Sequence, residues 1–68
     1  MKTISGKEFC KILERNGWVL YRVHGSHRVY KKSSMPMNIA VPVHGNDDLK
    51  IGLLKAMMKQ AGLTERDL

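Results

Sequence analysis

The sequence predicts an α+β fold in the order helix, strand, strand, strand, helix, with a three-stranded antiparallel sheet carrying both helices on one face. Three observations predict it. Apolar residues recur at helical spacing near both ends of the chain. The middle third is rich in aromatic and β-branched residues and is cut by turn signals. No internal repeat or linker interrupts the order, so the simplest packing lays both helices on the same side of the sheet and leaves the other side open.

The first helix opens at Ser5-Gly6-Lys7-Glu8, which reads as a capping box. Phe9, Ile12 and Leu13 form its apolar stripe, and Asn16-Gly17 ends it. Trp18 to Val23 follows as a strand and runs into the turn His24-Gly25-Ser26. His27 to Lys32 is the second strand, Ser33-Ser34-Met35-Pro36 the next turn, and Asn38 to Val43 the third strand. Pro42 lacks a backbone donor and so belongs at the end or exposed edge of that strand. Asn46 or Asp47 is the expected cap of the second helix, with Asp47 and Asp48 in its first turn, where the macrodipole favours anions. Leu49, Leu53, Leu54, Met57, Met58 and Ala61 supply its apolar face, and Gly62 stops it. Gly52, inside that helix, predicts a close approach to the sheet.

The chain has 68 residues, of which 43% are hydrophobic and 26% charged, the balance of one folded domain spanning 1–68 with a thin core. Cys10 is the one cysteine and has no internal partner for a disulfide. Neither a secretory leader nor an apolar run near the roughly 20 residues that cross a bilayer is apparent, so the expectation is a cytoplasmic protein without a membrane role. Twelve Lys and Arg against six Asp and Glu give a net charge of +6, a field that favours polyanions, nucleic acid first among them.

Taken together, the opening Ser5-Gly6-Lys7-Glu8, Gly17-Trp18, Gly25-Ser26-His27 followed by Tyr30, Val41-Pro42-Val43-His44-Gly45, and Leu49-Lys50-Ile51-Gly52-Leu53-Leu54 through Lys59-Gln60-Ala61-Gly62-Leu63 resemble the HicA toxin family. The resemblance covers almost the whole chain. It implies a fold like that of double-stranded RNA-binding domains and a toxin that cleaves messenger RNA without a metal or other cofactor. It also implies a HicB-type antitoxin, which the basic charge of this chain makes acidic. Carried over by the Gly-Ser-His motif, the catalytic residue is His27. Asp47 and Asp48 depart from the pattern, since relatives often have basic residues there, and phosphate binding from that helix end is put in doubt.

Cleaving RNA in this way needs a base for the 2′-hydroxyl proton, an acid for the departing 5′-oxygen, and positive charge for the transition state. Histidine serves either proton role near neutral pH. Read without the resemblance, His27 is an exposed histidine beside a hairpin turn; its catalytic role comes from the family. Arg22, Ser26, Arg28, Lys31 and Lys32 surround it in sequence and are the candidate RNA-binding residues. Strand alternation puts Arg28 and Lys32 on the face of Tyr30, opposite His27, Val29 and Lys31. Lys7, Lys11 and Arg15 form a second basic row on the first helix. Trp18 is expected in the core, while Tyr21 or Tyr30 is available to stack on a base. His24 precedes the same turn and could supply a second proton function, and His44 could contact phosphate or hydrogen-bond its turn, but without a motif both read first as turn residues and stay outside the site; three histidines with one distant cysteine do not make a zinc site. The alternative function is a non-catalytic double-stranded RNA-binding module, which would bind RNA without cleaving it; a small interaction subunit would show no RNA affinity at low salt.

Overall fold

The computed structural model describes residues 2–68, and its elements follow the predicted order. They are α1 (Gly6–Arg15), β1 (Val19–His24), β2 (His27–Lys31), β3 (Ile39–Pro42), α2 (Ile51–Ala61) and a closing 3-10 turn, Glu65–Asp67. The strands form one antiparallel sheet in the order β1-β2-β3.

Helix α1 begins because the Ser5 hydroxyl accepts the Glu8 amide at 3.1 Å, satisfying one of the orphan donors of the first turn. The exposed Glu8 carboxylate makes no return bond. At the other end the Asn16 side-chain amide donates to the Ile12 carbonyl at 2.8 Å, and the Trp18 amide donates to Leu13. Between these caps α1 buries Phe9, Cys10, Ile12 and Leu13. Phe9 and Leu13 join Tyr30, Ile39 and Val41 from the sheet and Leu54, Met57, Met58 and Ala61 from α2 in one core. Both helices therefore lie on the same sheet face. Trp18 is 2% exposed, just ahead of β1, and its indole N–H has no acceptor among the described residues, at a cost of about 1–3 kcal/mol that the burial of its ring must exceed.

Helix α2 begins later than the sequence suggests. Its N-cap is Lys50, without a side-chain cap bond, and neither Asn46 nor Asp47 caps it. Asp47 instead closes a turn on the His44 carbonyl, and Asp48 sits in an antiparallel bridge with Ser5. The Leu49 amide donates to Ile4 at 2.8 Å, and the Thr3 hydroxyl donates to the Leu49 carbonyl. Long-range backbone pairing thus holds residues 48 and 49 extended against the chain entering α1, and it overrides the local capping signal. Neither aspartate lies in the helix. Leu53, expected on the buried face, is 39% exposed, because Leu54, Met57, Met58 and Ala61 form the stripe that meets the core and helical spacing puts Leu53 about a quarter turn to its side.

Close approach occurs at a different glycine from the expected one. A Cβ on Gly52 would meet nothing within 4 Å, whereas a Cβ on Gly6 would collide with the Pro42 carbonyl oxygen. The N-terminus of α1 is pressed against the end of β3, and only a residue without a side chain fits between them.

Tyr30, at the centre of the sheet, is fully buried, and its hydroxyl donates to Glu14 Oε2 at 2.8 Å. Burial and the bond to Glu14 push its ionisation well above the usual tyrosine range, and burial also raises the Cys10 thiol beside it. The chain ends on a Thr64 cap, whose amide donates to the Asp67 carboxylate at 2.8 Å. The Thr64-Glu65-Arg66-Asp67 spacing is a capping signal, here used by one short turn.

Two tests follow from this packing. Gly6→Ala is expected to lower the unfolding free energy by about 1–3 kcal/mol through overpacking, while Gly52→Ala leaves it unchanged or raises it by up to about 1 kcal/mol; urea midpoints of the two variants compare them directly. Because the Tyr30 hydroxyl ionises less readily folded than unfolded, its contribution is complete below the ordinary tyrosine value near pH 10 and is lost as pH rises toward the folded value. Thermal melts should therefore show stability falling above about pH 10. In Tyr30→Phe that component of the fall should vanish, at a cost near neutral pH of about 1 kcal/mol for the lost hydrogen bond.

Candidate functional site

With Tyr30 turned into the core, the period of two along β2 turns His27, Val29 and Lys31 to the side that no described element covers. His27 and Lys31 are exposed, and Val29 is half-buried. Antiparallel partners point the same way, so the register identifies the rest of this face. His24 lies directly opposite His27, Arg22 opposite Val29, and Val19 opposite Lys31. On the β3 side, Pro42 and Ala40 flank His27 and Val29.

A bulge between Leu20 and Arg22 adds to the group. Leu20 still pairs with Tyr30 on the helix side, but the shift in register brings Arg22 opposite Val29 and leaves Tyr21 as the extra residue. Regular alternation would have sent Arg22 to the helix side. Tyr21 is 51% exposed, with Lys31 Nζ 4.7 Å and the Arg22 guanidinium 5.8 Å from its ring centre, both within cation–π range.

His24 and His27 are brought together by a two-residue loop, Gly25-Ser26. Gly25 has φ +61° and Ser26 a negative φ, the pattern of a type II′ turn, in which glycine is favoured at the first loop position. The Ser26 carbonyl accepts the amide of Val43, the residue after β3, at 2.7 Å, which anchors the loop, while the Ser26 side chain stays exposed. The open face therefore carries two imidazoles at one end, then two cations and an aromatic ring. No carboxylate side chain of the three strands shares it.

The other candidates are distributed elsewhere. Arg28 pairs with Val41 and Val23 on the helix side, where it is half-buried and reaches the Cys10 thiol; it cannot serve the same face as His27. Tyr30 is not available to stack on a base, since its ring is fully buried and its hydroxyl is held by Glu14. Lys32 lies just past β2, half-buried, with its stem near Gly17. There, with Lys31, Ser33, Asn38 and Val19, it lines a shallow concavity of about 450 Å³ at the far end of the sheet from His27. His44 borders a hollow with Asp47, Asp48 and Pro42, the β3 partner of His27. Lys7, Lys11 and Arg15 are exposed on α1, in the layer behind the sheet. Among the described residues no three of His, Cys, Asp and Glu gather as metal ligands, and no helix is long and apolar enough to cross a membrane.

This face can hold an anion on Arg22 and Lys31, stack a flat ring on Tyr21 and exchange protons through exposed imidazole. Strand alternation alone separates Arg28 from His27 correctly. It does not reveal the opposition of the two histidines, for which the signal is a two-residue Gly-Ser loop, nor the bulge, for which the chain has no local signal.

A comparison with curated proteins found no match. The family model for the HicA toxin of bacterial toxin-antitoxin systems matches residues 6–63. The match runs from the first residue of α1 to two residues past α2 and includes the whole sheet and the histidine hairpin. Given that coverage, the chain belongs to the HicA toxin family, the toxin half of systems in which each toxin has a cognate antitoxin.

Proposed function

We propose that residues 1–68 act as one HicA-like domain, a cytoplasmic endoribonuclease that cleaves messenger RNA without a metal, with His27 as a catalytic residue. The observation that carries the reading is the position of His27, exposed at one end of an open sheet face that further along carries two cations and an aromatic ring. Arg22 and Lys31 neutralise phosphate, Tyr21 stacks on a base, and exposed Ser26 leaves room for the sugar–phosphate chain at the turn. Arg28 and Lys32, away from that face, take part only where RNA wraps around the sheet edge or reaches the far concavity.

A positioned proton donor or acceptor contributes about 10²- to 10⁴-fold in rate, and cations beside the phosphate lower the barrier by stabilising the charge that develops there. An open, water-exposed site weakens that electrostatic contribution, which suits a slow nuclease acting on single-stranded or loosely paired RNA. The partner proposed for this face is a HicB-type antitoxin rich in carboxylates. Such a protein complements the net charge of +6 and, by covering the hairpin, removes His27 from solvent.

His27→Ala is expected to abolish cleavage of a messenger RNA and relieve growth inhibition, with the unfolding free energy changed by no more than about 0.5 kcal/mol, as for an exposed side chain. Undiminished cleavage by that variant overturns the assignment, and RNA binding by the unaltered chain without any cleavage identifies a non-catalytic RNA-binding module instead. In titrations against single-stranded RNA over a range of salt, Arg22→Ala and Lys31→Ala should each flatten the slope of log affinity against log salt by about 0.7, the value for one lost phosphate contact.

A further inference from the structure

We propose that His24 is the second proton-transfer group of this site, so that His24 and His27 divide the acid and base roles between them. The inference rests on the ribonuclease reading above and adds to it the residue that completes the reaction. The two-residue Gly25-Ser26 loop sets the two side chains opposite one another, and the pairing of β1 with β2 holds them there.

His24 and His27 are directly opposed across β1 and β2, as the closing pair of a two-residue loop. Side chains opposed in this way leave one face of the sheet together, with their Cβ atoms about 4.5–5.5 Å apart. Both histidines are exposed, and among the described residues neither has a hydrogen bond that would engage its ring. The two-residue turn sets their separation, and the Ser26–Val43 bond ties that turn to the residue that follows β3. Among the strand residues of this face the charged groups are Arg22 and Lys31, with no carboxylate, and the carboxylates of Asp47 and Asp48 border the hollow next to Pro42, the β3 partner of His27. Two imidazoles, side by side at one end of a face with Arg22 two residues along β1, can reach two oxygens of one phosphodiester.

The chemistry needs two such groups. One neutral imidazole takes the proton of the 2′-hydroxyl as that oxygen attacks phosphorus. The bond from phosphorus to the 5′-oxygen breaks, and the other imidazole, protonated, gives its proton to that oxygen. The products are a 2′,3′-cyclic phosphate and a free 5′-hydroxyl. The two histidines end with their protonation states exchanged, and one proton moved between them through water restores the site. No oxidant, metal or further reactant enters the balance.

The test compares the unaltered chain with His24→Ala, His24→Gln and His27→Ala on two RNA substrates, one natural and one with sulfur in place of the bridging 5′-oxygen at the cleaved bond. A thiolate departs without needing a proton, so loss of the acid no longer matters on the second substrate. Both His24 variants are expected to cleave natural RNA about 10²- to 10⁴-fold more slowly while melting at the temperature of the unaltered chain. The sulfur substrate should restore cleavage by either the His24 variants or His27→Ala, whichever lacks the acid, and leave the other slow. Full-rate cleavage of natural RNA by the His24 variants overturns the proposal. So does a loss in both positions that the sulfur substrate restores in neither, which assigns His24 a positioning role. An unaltered chain that cleaves neither substrate overturns the ribonuclease reading itself, and this inference with it.

Discussion

The burial of Tyr30 is the constraint on which the rest of the structure depends. It is the largest of the fully buried side chains, it sits on the central strand, and its hydroxyl reaches across to Glu14 on α1. Because side chains alternate along a strand, fixing one residue inward fixes the facing of all its neighbours. A slip of one residue would expose the tyrosine ring and drive His27 and Lys31 into the core, at a cost a small domain cannot meet. The seating of His27 is therefore not a property of the hairpin alone. It follows from a tyrosine three residues away that has only one place to go.

The two layers divide the work. The helix layer and the inner sheet face supply nearly all the buried apolar surface, and α1 is locked to the sheet by the contact of Gly6 with the Pro42 carbonyl. The outer face supplies almost none and is free to carry charge. Strand β1 shows the consequence most clearly: all six of its residues are exposed, although Val19, Leu20, Tyr21 and Val23 are large and apolar. An edge strand of this kind offers unpaired backbone groups and apolar surface together, a liability that cations at Arg22 and beyond offset by mutual repulsion between copies. In a protein whose family acts opposite an antitoxin, the same features make that edge and the face beside it a natural place for a partner to bind.

Local physics is legible in the sequence. Helical spacing, the Ser5 cap, the Asn16-Gly17 stop and the turn residues locate five elements in the right order, and alternation along β2 by itself separates Arg28 from His27. Where local signals mislead, a long-range contact has outweighed them. Asp47 and Asp48 carry a sound capping signal, but pairing of residues 48 and 49 with residues 4 and 5 holds that stretch extended. Gly52 has the look of a close approach, and Gly6 is the one, because only the packed fold brings Pro42 to it. Tyr30 is a candidate for stacking on a base until burial between sheet and helices claims it.

His27 shows the same division. The sequence by itself determined that a histidine stands beside a tight Gly-Ser turn in a basic chain, and its resemblance to a family, carried by motifs in order, marked that histidine among three. Only the tertiary structure decided what surrounds it: His24 opposite, Arg22 and Tyr21 brought over by a bulge, Lys31 two residues beyond Val29, Arg28 turned away. Periodicity and caps depend on residues a few positions apart and can be read in one dimension. Register, bulges and face-sharing depend on which strand pairs with which and at what offset, and that choice is made by the burial of the core as a whole.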